Sequence, residues 1–337
     1  MKTVAASMLF LAFLLTSALS HAQLIPSEDN NIPYLVTFGK NGNTSWGDDD
    51  FSQTFFFVTP RKEVRPVYIR IFDPEASGMD DEKKGEFNTK TRFSIYGGKT
   101  CYSNYPKRNN TTKDPKENFK GGNLLATKTF ENTTKYQGAW YTFGPFNPTE
   151  GELANDLGGY VFKIIAEGES GDDGNLYRYF FSSSPNENKA IEGGNAFTYE
   201  YTFRLSDNQA DVSHLYPFIP EDVTSVNISN FDFDDDGYIN IVSVLKKEEK
   251  KEISLDNVWT ECAHKVVAKE KKTSLDIQFI KSKTQQVKNN NVTLYVTNQR
   301  GESMAIYTVA IGGIPNPQNM IDFKAKNKII IQDINKK

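Results

Sequence analysis

An all-β fold, arranged as two antiparallel β-sandwich or jelly-roll-like domains, is what this sequence of 337 residues predicts. Three observations point there. Aromatic residues make up 13% of the chain, mostly Phe and Tyr, and such residues suit a pleated, half-buried surface. Apolar positions recur with a period of two and not with a helical period. The links between these runs are rich in Gly, Asn, Asp and Pro, which supply turn conformations. The length exceeds one average domain and suggests two.

The first element is not part of either domain. Lys2 precedes an apolar run from Met8 to Leu19, and Ser20, His21 and Ala22 place small residues near a cleavage point before Gln23. Residues 1–22 therefore read as a signal peptide. The run is shorter than the roughly 18–20 residues of a membrane span, and no second run of spanning length follows. The expected product is exported: extracellular, periplasmic or surface-associated, with no membrane span in the mature chain.

The N-terminal domain, 23–209, contains strand candidates at 54–58, 67–72, 92–96, 124–130, 140–143, 160–166 and 178–182. Segment 67–72 places Val67, Ile69 and Ile71 on one face and Tyr68, Arg70 and Phe72 on the other. Segment 197–205 is expected to do the same with Phe197, Tyr199, Tyr201 and Phe203 together. In the 140s, Trp140 and Tyr141 fall on opposite faces, so one of them belongs to the core. Residues 103–121 are polar and read as a long exposed loop. The segment 206–222 breaks the strand pattern and holds two prolines, so the domain boundary is placed near residue 210.

The C-terminal domain, 210–337, offers strands at 224–229, 238–245, 275–279, 292–297, 304–311 and 328–334. Asn298 to Gly301 reads as a hairpin turn, with its glycine at a position needing positive φ. The mixed-charge run 246–252 is expected to be a solvated strand end or loop.

Chemistry is then read largely by exclusion. With 39 Lys+Arg against 43 Asp+Glu the chain is not basic, which argues against nucleic acid as a partner. There is no H-E-x-x-H, no G-x-S-x-G, no phosphate-binding glycine loop and no paired CxxC zinc pattern. Cys101 and Cys262 are too few for a disulfide scaffold; export would permit a bridge, and two separate thiols is the simpler reading. Cys262 and His264 share a strand face, but a surface histidine beside a packed thiol explains them without catalysis.

The positive signal is acidic. In the stretch from Asn230 to Ile241, Asp232, Asp234 and Asp236 alternate, Gly237 follows, and Asn240 comes four residues after Asp236. Calcium takes six to eight oxygens, and a tight loop presents them at this spacing. The segment resembles the D-x-D-x-D-G loops of EF-hands, dockerins, thrombospondin type 3 repeats and FG-GAP repeats. That resemblance implies Asp232, Asp234, Asp236 and Asn240 as side-chain ligands and Tyr238 as a carbonyl donor. It covers about a dozen residues, and the position where an EF-hand keeps a bidentate Glu is Ser243. A plain Asp-Gly hairpin turn would account for Asp236 and Gly237, leaving Asp232 and Asp234 as uncompensated like charges.

Other acidic clusters lie between strands. Asp48, Asp49 and Asp50 with Asp73, Asp80, Asp81 and Glu82 are the candidates for a second calcium site, and solvated acidic loops are the plainer reading of the same residues. Trp46, beside this cluster, is the candidate ligand platform. The sequence is thus read as an exported, non-catalytic, calcium-stabilised interaction module for a glycan or protein at the cell surface. A secreted carbohydrate-active hydrolase and a structural component of an envelope assembly are the alternatives.

Overall fold

A computed structural model describes residues 23–105, 117–284 and 287–312. The signal peptide reading, the strand expected at 328–334 and most of the polar loop at 103–121 lie outside these residues. The described chain forms strands β1 (Leu24–Ile25), β2 (Tyr34–Phe38), β3 (Ser52–Pro60), β4 (Val67–Phe72), β5 (Lys90–Gly97), β6 (Asn123–Phe130) and β7 (Trp140–Phe146). Then come β8 (Glu152–Ala154), β9 (Gly159–Ser170), β10 (Gly174–Ser182), β11 (Asn195–Thr198), β12 (Glu200–Arg204), β13 (Val212–Pro217) and β14 (Ser225–Phe231). The last are β15 (Gly237–Val242), β16 (Lys250–Lys251), β17 (Trp259–Lys265), β18 (Asp276–Lys281), β19 (Asn291–Asn298) and β20 (Ile306–Tyr307). Only short 3-10 turns interrupt them, and no helix among the described residues is long and apolar enough to cross a membrane.

The strands build two large antiparallel sheets. A 9-stranded sheet runs β17-β14-β19-β12-β2-β10-β4-β7, with β1 beside β10. An 11-stranded sheet runs β16-β15-β18-β13-β20-β11-β3-β9-β5-β6, with β8 beside β9. The fold is all-β and sandwich-like, as expected. Strands from both sides of residue 210 share each sheet: β12 pairs with β2 and β19, and β11 with β3 and β20.

The core is the space between the sheets. Tyr177, Tyr179 and Phe181 of β10 alternate inward and meet Phe93, Phe55 and Phe57 of the other sheet at centroid distances of 5.1, 5.8 and 5.2 Å. Beyond residue 210, Phe279 meets Phe203 at 5.2 Å and Phe233 at 5.4 Å. All these residues belong to one continuous buried cluster. The tilted and edge-on geometries are those aromatic pairs prefer.

Two expectations fail for a common reason. Phe197, Tyr199, Tyr201 and Phe203 do not share one face of one strand. The chain breaks at Tyr199, with β11 in the larger sheet and β12 in the smaller. Phe197 and Tyr199 pack in a cluster with Phe56 and Tyr307, whereas Tyr201 and Phe203 enter the main core. Segment 206–222, expected to lack strand, holds β13, paired with β18 and β20. In both places, tertiary pairing overrides what local composition suggests. Residues 304–311 contribute only the two-residue β20.

Other readings hold. Gly301 has φ 74° and donates its N–H to Asn298 O at 2.9 Å, closing the expected turn. Tyr141 packs against the core, leaving Trp140 on the opposite face. Cys101 and Cys262 are separate thiols. His264 is fully buried and not at the surface: Nδ1 lies 2.8 Å from Glu249 and Nε2 3.4 Å from Glu270.

Candidate metal centre

The segment between β14 and β15 is the acidic stretch itself. Asp232, Asp234 and Asp235 take φ values of 59°, 59° and 53°, a left-handed conformation that Asp tolerates better than most residues. Phe233 anchors the segment by its fully buried ring. Its N–H donates to Ser254 Oγ at 2.8 Å, and Asp236 N–H donates back to Phe233 O at 3.0 Å. Ser254 N–H in turn donates to Asn230 Oδ1 at 2.8 Å. These bonds tie the acidic segment to the approach to β17, and Asn257 N–H donates to Asp232 Oδ1.

That second segment supplies a carboxylate which local spacing does not reveal. Asp232, Asp234 and Asp256 offer ligand oxygens that all lie within 4.8 Å of one another. Asp232 is buried and Asp256 exposed. Burial pushes the Asp232 carboxyl up to about 7, with the Asp234 and Asp256 charges adding to it and the Asn257 N–H opposing. Burial, and then the charges of Asp256 and Asp236, push Asp234 up to about 6. Such an arrangement disfavours three anions and suits a hard divalent cation.

The remaining residues of the D-x-D-x-D-G pattern have other partners. Asp236 is fully buried and pairs with Lys281 at 3.2 Å. Asn240 donates through Nδ2 to Gln278 at 2.9 Å and accepts Glu249 N–H on Oδ1 at 2.9 Å. Tyr238 enters the β15–β18 ladder opposite Ile280, with Lys250 Nζ 4.5 Å from its ring centroid. At Gly237 an added Cβ would stand 1.9 Å from Ile280 O, so close strand approach requires glycine there.

The N-terminal acidic residues divide. Asp49 and Asp50 come together with Glu200 of β12, again within 4.8 Å. Asp48 instead organises the turn, accepting Phe38 N–H at 2.8 Å and Phe51 N–H at 2.9 Å; burial pushes its carboxyl up to about 7. Asp80 accepts the Tyr34 hydroxyl at 2.9 Å. Asp81 accepts the N–H groups of Ser77, Gly78 and Leu176 at 2.9, 2.8 and 2.8 Å, and burial pushes it up to about 7. Glu82 pairs with Arg204 and Lys84, each at 2.6 Å. Burial pushes Asp73 up to about 6. Trp46 packs on Phe38 at 5.7 Å, and Lys84 Nζ stands 4.0 Å from its ring centroid, so it is not a bare platform.

The two acidic groups are joined. Trp259 Nε1 donates to Asp49 Oδ2 at 3.1 Å, and Thr44 Oγ1 donates to Asn257 Oδ1 at 2.7 Å. Asp256 and Glu200 are the residues missed in the sequence. Their only sequence signal is a carboxylate near a strand boundary, which dozens of positions share. No protein-family model matches the chain, and no curated protein matches it in sequence.

Proposed function

We propose that this chain is an exported, non-catalytic interaction module whose loops are stiffened by calcium, and that it binds a glycan or protein at the cell surface. One observation carries the metal part: carboxylates from two segments, Asp232 and Asp234 on one and Asp256 on the other, converge within 4.8 Å. Backbone carbonyls and water would complete the six to eight oxygens calcium takes. Asp49, Asp50 and Glu200 are the residues that would hold a second ion. An ion at either place would offset like-charge repulsion and fix connections that otherwise cost entropy to order, so that a partner meets a preorganised surface. Export is supported by the apolar run from Met8 to Leu19.

Calcium titration of the chelator-treated protein by calorimetry tests the reading. A dissociation constant of about 0.1–1 mM, typical of extracellular modules, is expected, with the heat lost in Asp256→Ala. No heat at millimolar calcium would refute it.

A further inference from the structure

We infer that Lys281 and Asn290 join their side chains in an isopeptide bond that ties the two sheets together, with Asp236 carrying the protons. This goes beyond the reading of the chain as a binding module and does not depend on it.

The three side chains meet through strand register and sheet packing. On β18, Ile277 and Phe279 face the core, and Lys281 follows two residues later on the same face. Its side chain is only 3% exposed. Gly237 pairs with Lys281 at the start of β15, and Asp236 comes just before it, its backbone O accepting Ser282 N–H at 2.7 Å. Asn290 comes just before β19 and is only 2% exposed. Strands β15 and β18 belong to the 11-stranded sheet and β19 to the 9-stranded one, so the cluster bridges the two sheets. One oxygen of the fully buried Asp236 holds both nitrogens. Lys281 Nζ lies 3.2 Å from Oδ2, and Asn290 Nδ2 donates to the same atom at 3.3 Å. Nζ also donates to Val287 O at 3.0 Å, and Nδ2 to Phe233 O at 3.2 Å, which fixes both groups.

An ion pair alone does not complete this site. Asp236 Oδ1 and Asn290 Oδ1 are buried and have no hydrogen-bond partner among the described residues, where buried polar atoms nearly always have one. A buried charged pair recovers its desolvation cost only when its remaining hydrogen-bonding capacity is met. Lys163, the other buried lysine among the described residues, is held differently, by the backbone oxygens of Phe119 and Gly121 at 2.5 and 2.8 Å. At Lys281 an amine, a proton carrier and an acyl carbon are gathered in one water-poor place, and such proximity lets an amine attack an amide that is inert in solution. Asp236 takes a proton from the Lys281 ammonium, which frees the lone pair on Nζ. Nζ attacks Asn290 Cγ, the Nζ–Cγ bond forms, and negative charge moves to Oδ1. Asp236 passes its proton to Nδ2 and takes a second one from Nζ. The C=O bond re-forms, the Cγ–Nδ2 bond breaks with its electron pair on nitrogen, and ammonia leaves. Amine and carboxamide thus become a secondary amide and ammonia, with nothing oxidised or reduced. Asp236 remains as a neutral acid, whose O–H supplies the donor that the Asn290 oxygen lacks. An ionised carboxylate resists attack by a nucleophile, which assigns the acyl role to Asn290 and not to Asp236.

The test is a tryptic peptide map of the full mature chain by mass spectrometry, after denaturation. Trypsin does not cut after an acylated lysine. The bond therefore predicts a branched product in which residues 273–283 and 289–300 are joined, lighter than the two peptides together by one ammonia. Most wild-type molecules are expected to give it, with fragmentation placing the link between Lys281 and Asn290. Asp236→Asn keeps the shape of the proton carrier but not its chemistry, and should give only separate peptides, as should Asn290→Ala. The wild-type map decides even if a variant fails to fold. Cyclisation of Gln23 at a new N-terminus would also release ammonia, so the joined peptide and not the intact mass is the readout. Wild-type peptides ending at Lys281 and beginning at Asn289, unjoined, would overturn the inference. A link from Lys281 to the peptide holding Asp236, with loss of water, would overturn it too, as would a Lys281–Asn290 link that forms equally in Asp236→Asn. A joined peptide in a protein that gives no heat with calcium would remove the calcium reading and leave this one. Calcium heat without a joined peptide would do the reverse.

Discussion

Replacing Asp234 with alanine separates a metal-holding cluster from a merely acidic turn, because the two readings give opposite signs without calcium. The oxygens of Asp232, Asp234 and Asp256 lie within 4.8 Å of one another. Unit charges at that separation repel by about 0.9 kcal/mol at the dielectric of water and more where water is excluded. Without metal, Asp234→Ala removes two such repulsions, so the variant should melt at or slightly above wild type. With 10 mM calcium and a dissociation constant of about 0.1–1 mM, binding adds about 1.4–2.7 kcal/mol to wild-type stability. For a chain of this size that corresponds to a rise of about 2–5 °C in Tm. Loss of one charged ligand should weaken binding about tenfold, reducing the gain to about 0.4–1.4 kcal/mol and the rise to about 0.5–2 °C. Differential scanning calorimetry of both proteins in EDTA and in calcium reads all four values. If the variant is less stable than wild type by the same amount in both buffers, Asp234 serves the turn alone and the reasoning fails.

The same carboxylates predict a pH dependence. The folded-state values of Asp232 and Asp234, raised to about 7 and 6 from 3.8, mean that the metal-free folded protein holds more protons than the unfolded chain from about pH 4 to 7. Their contribution therefore favours folding at low pH and is lost as pH rises through that window. Calcium needs the ionised carboxylates, so the calcium-induced gain in Tm should grow between pH 5 and pH 8. A gain independent of pH would place the ion elsewhere. Gly237→Ala should destabilise the fold by roughly 2–4 kcal/mol in urea unfolding, with or without calcium, since the new Cβ meets Ile280 O at 1.9 Å. A loss below 1 kcal/mol would show that β15 and β18 can separate there.

Legibility in the sequence followed the range of the contacts. The strands at 67–72 and 275–279 were readable because Val67, Ile69, Ile71, Ile277 and Phe279 alternate with residues of different character and face one core. The run from Phe197 to Phe203 was misread because aromatic side chains are accommodated on both sides of the larger sheet there. Alternation alone does not reveal that the chain changes sheets at Tyr199. Asp232 and Asp234 were legible as a local pattern. Asp256 was not, since it is brought in by the bonds of Ser254 and Asn257 to the acidic segment. Asp236 looked like a ligand by spacing, yet its partner is Lys281, far along the chain.

The most direct measurement is a crystal structure of the protein grown with calcium, using anomalous scattering to locate the ion. The account predicts a peak bounded by carboxylate oxygens of Asp232, Asp234 and Asp256 at about 2.3–2.6 Å. Ordered water alone between those carboxylates, or an ion bound away from them, would contradict it.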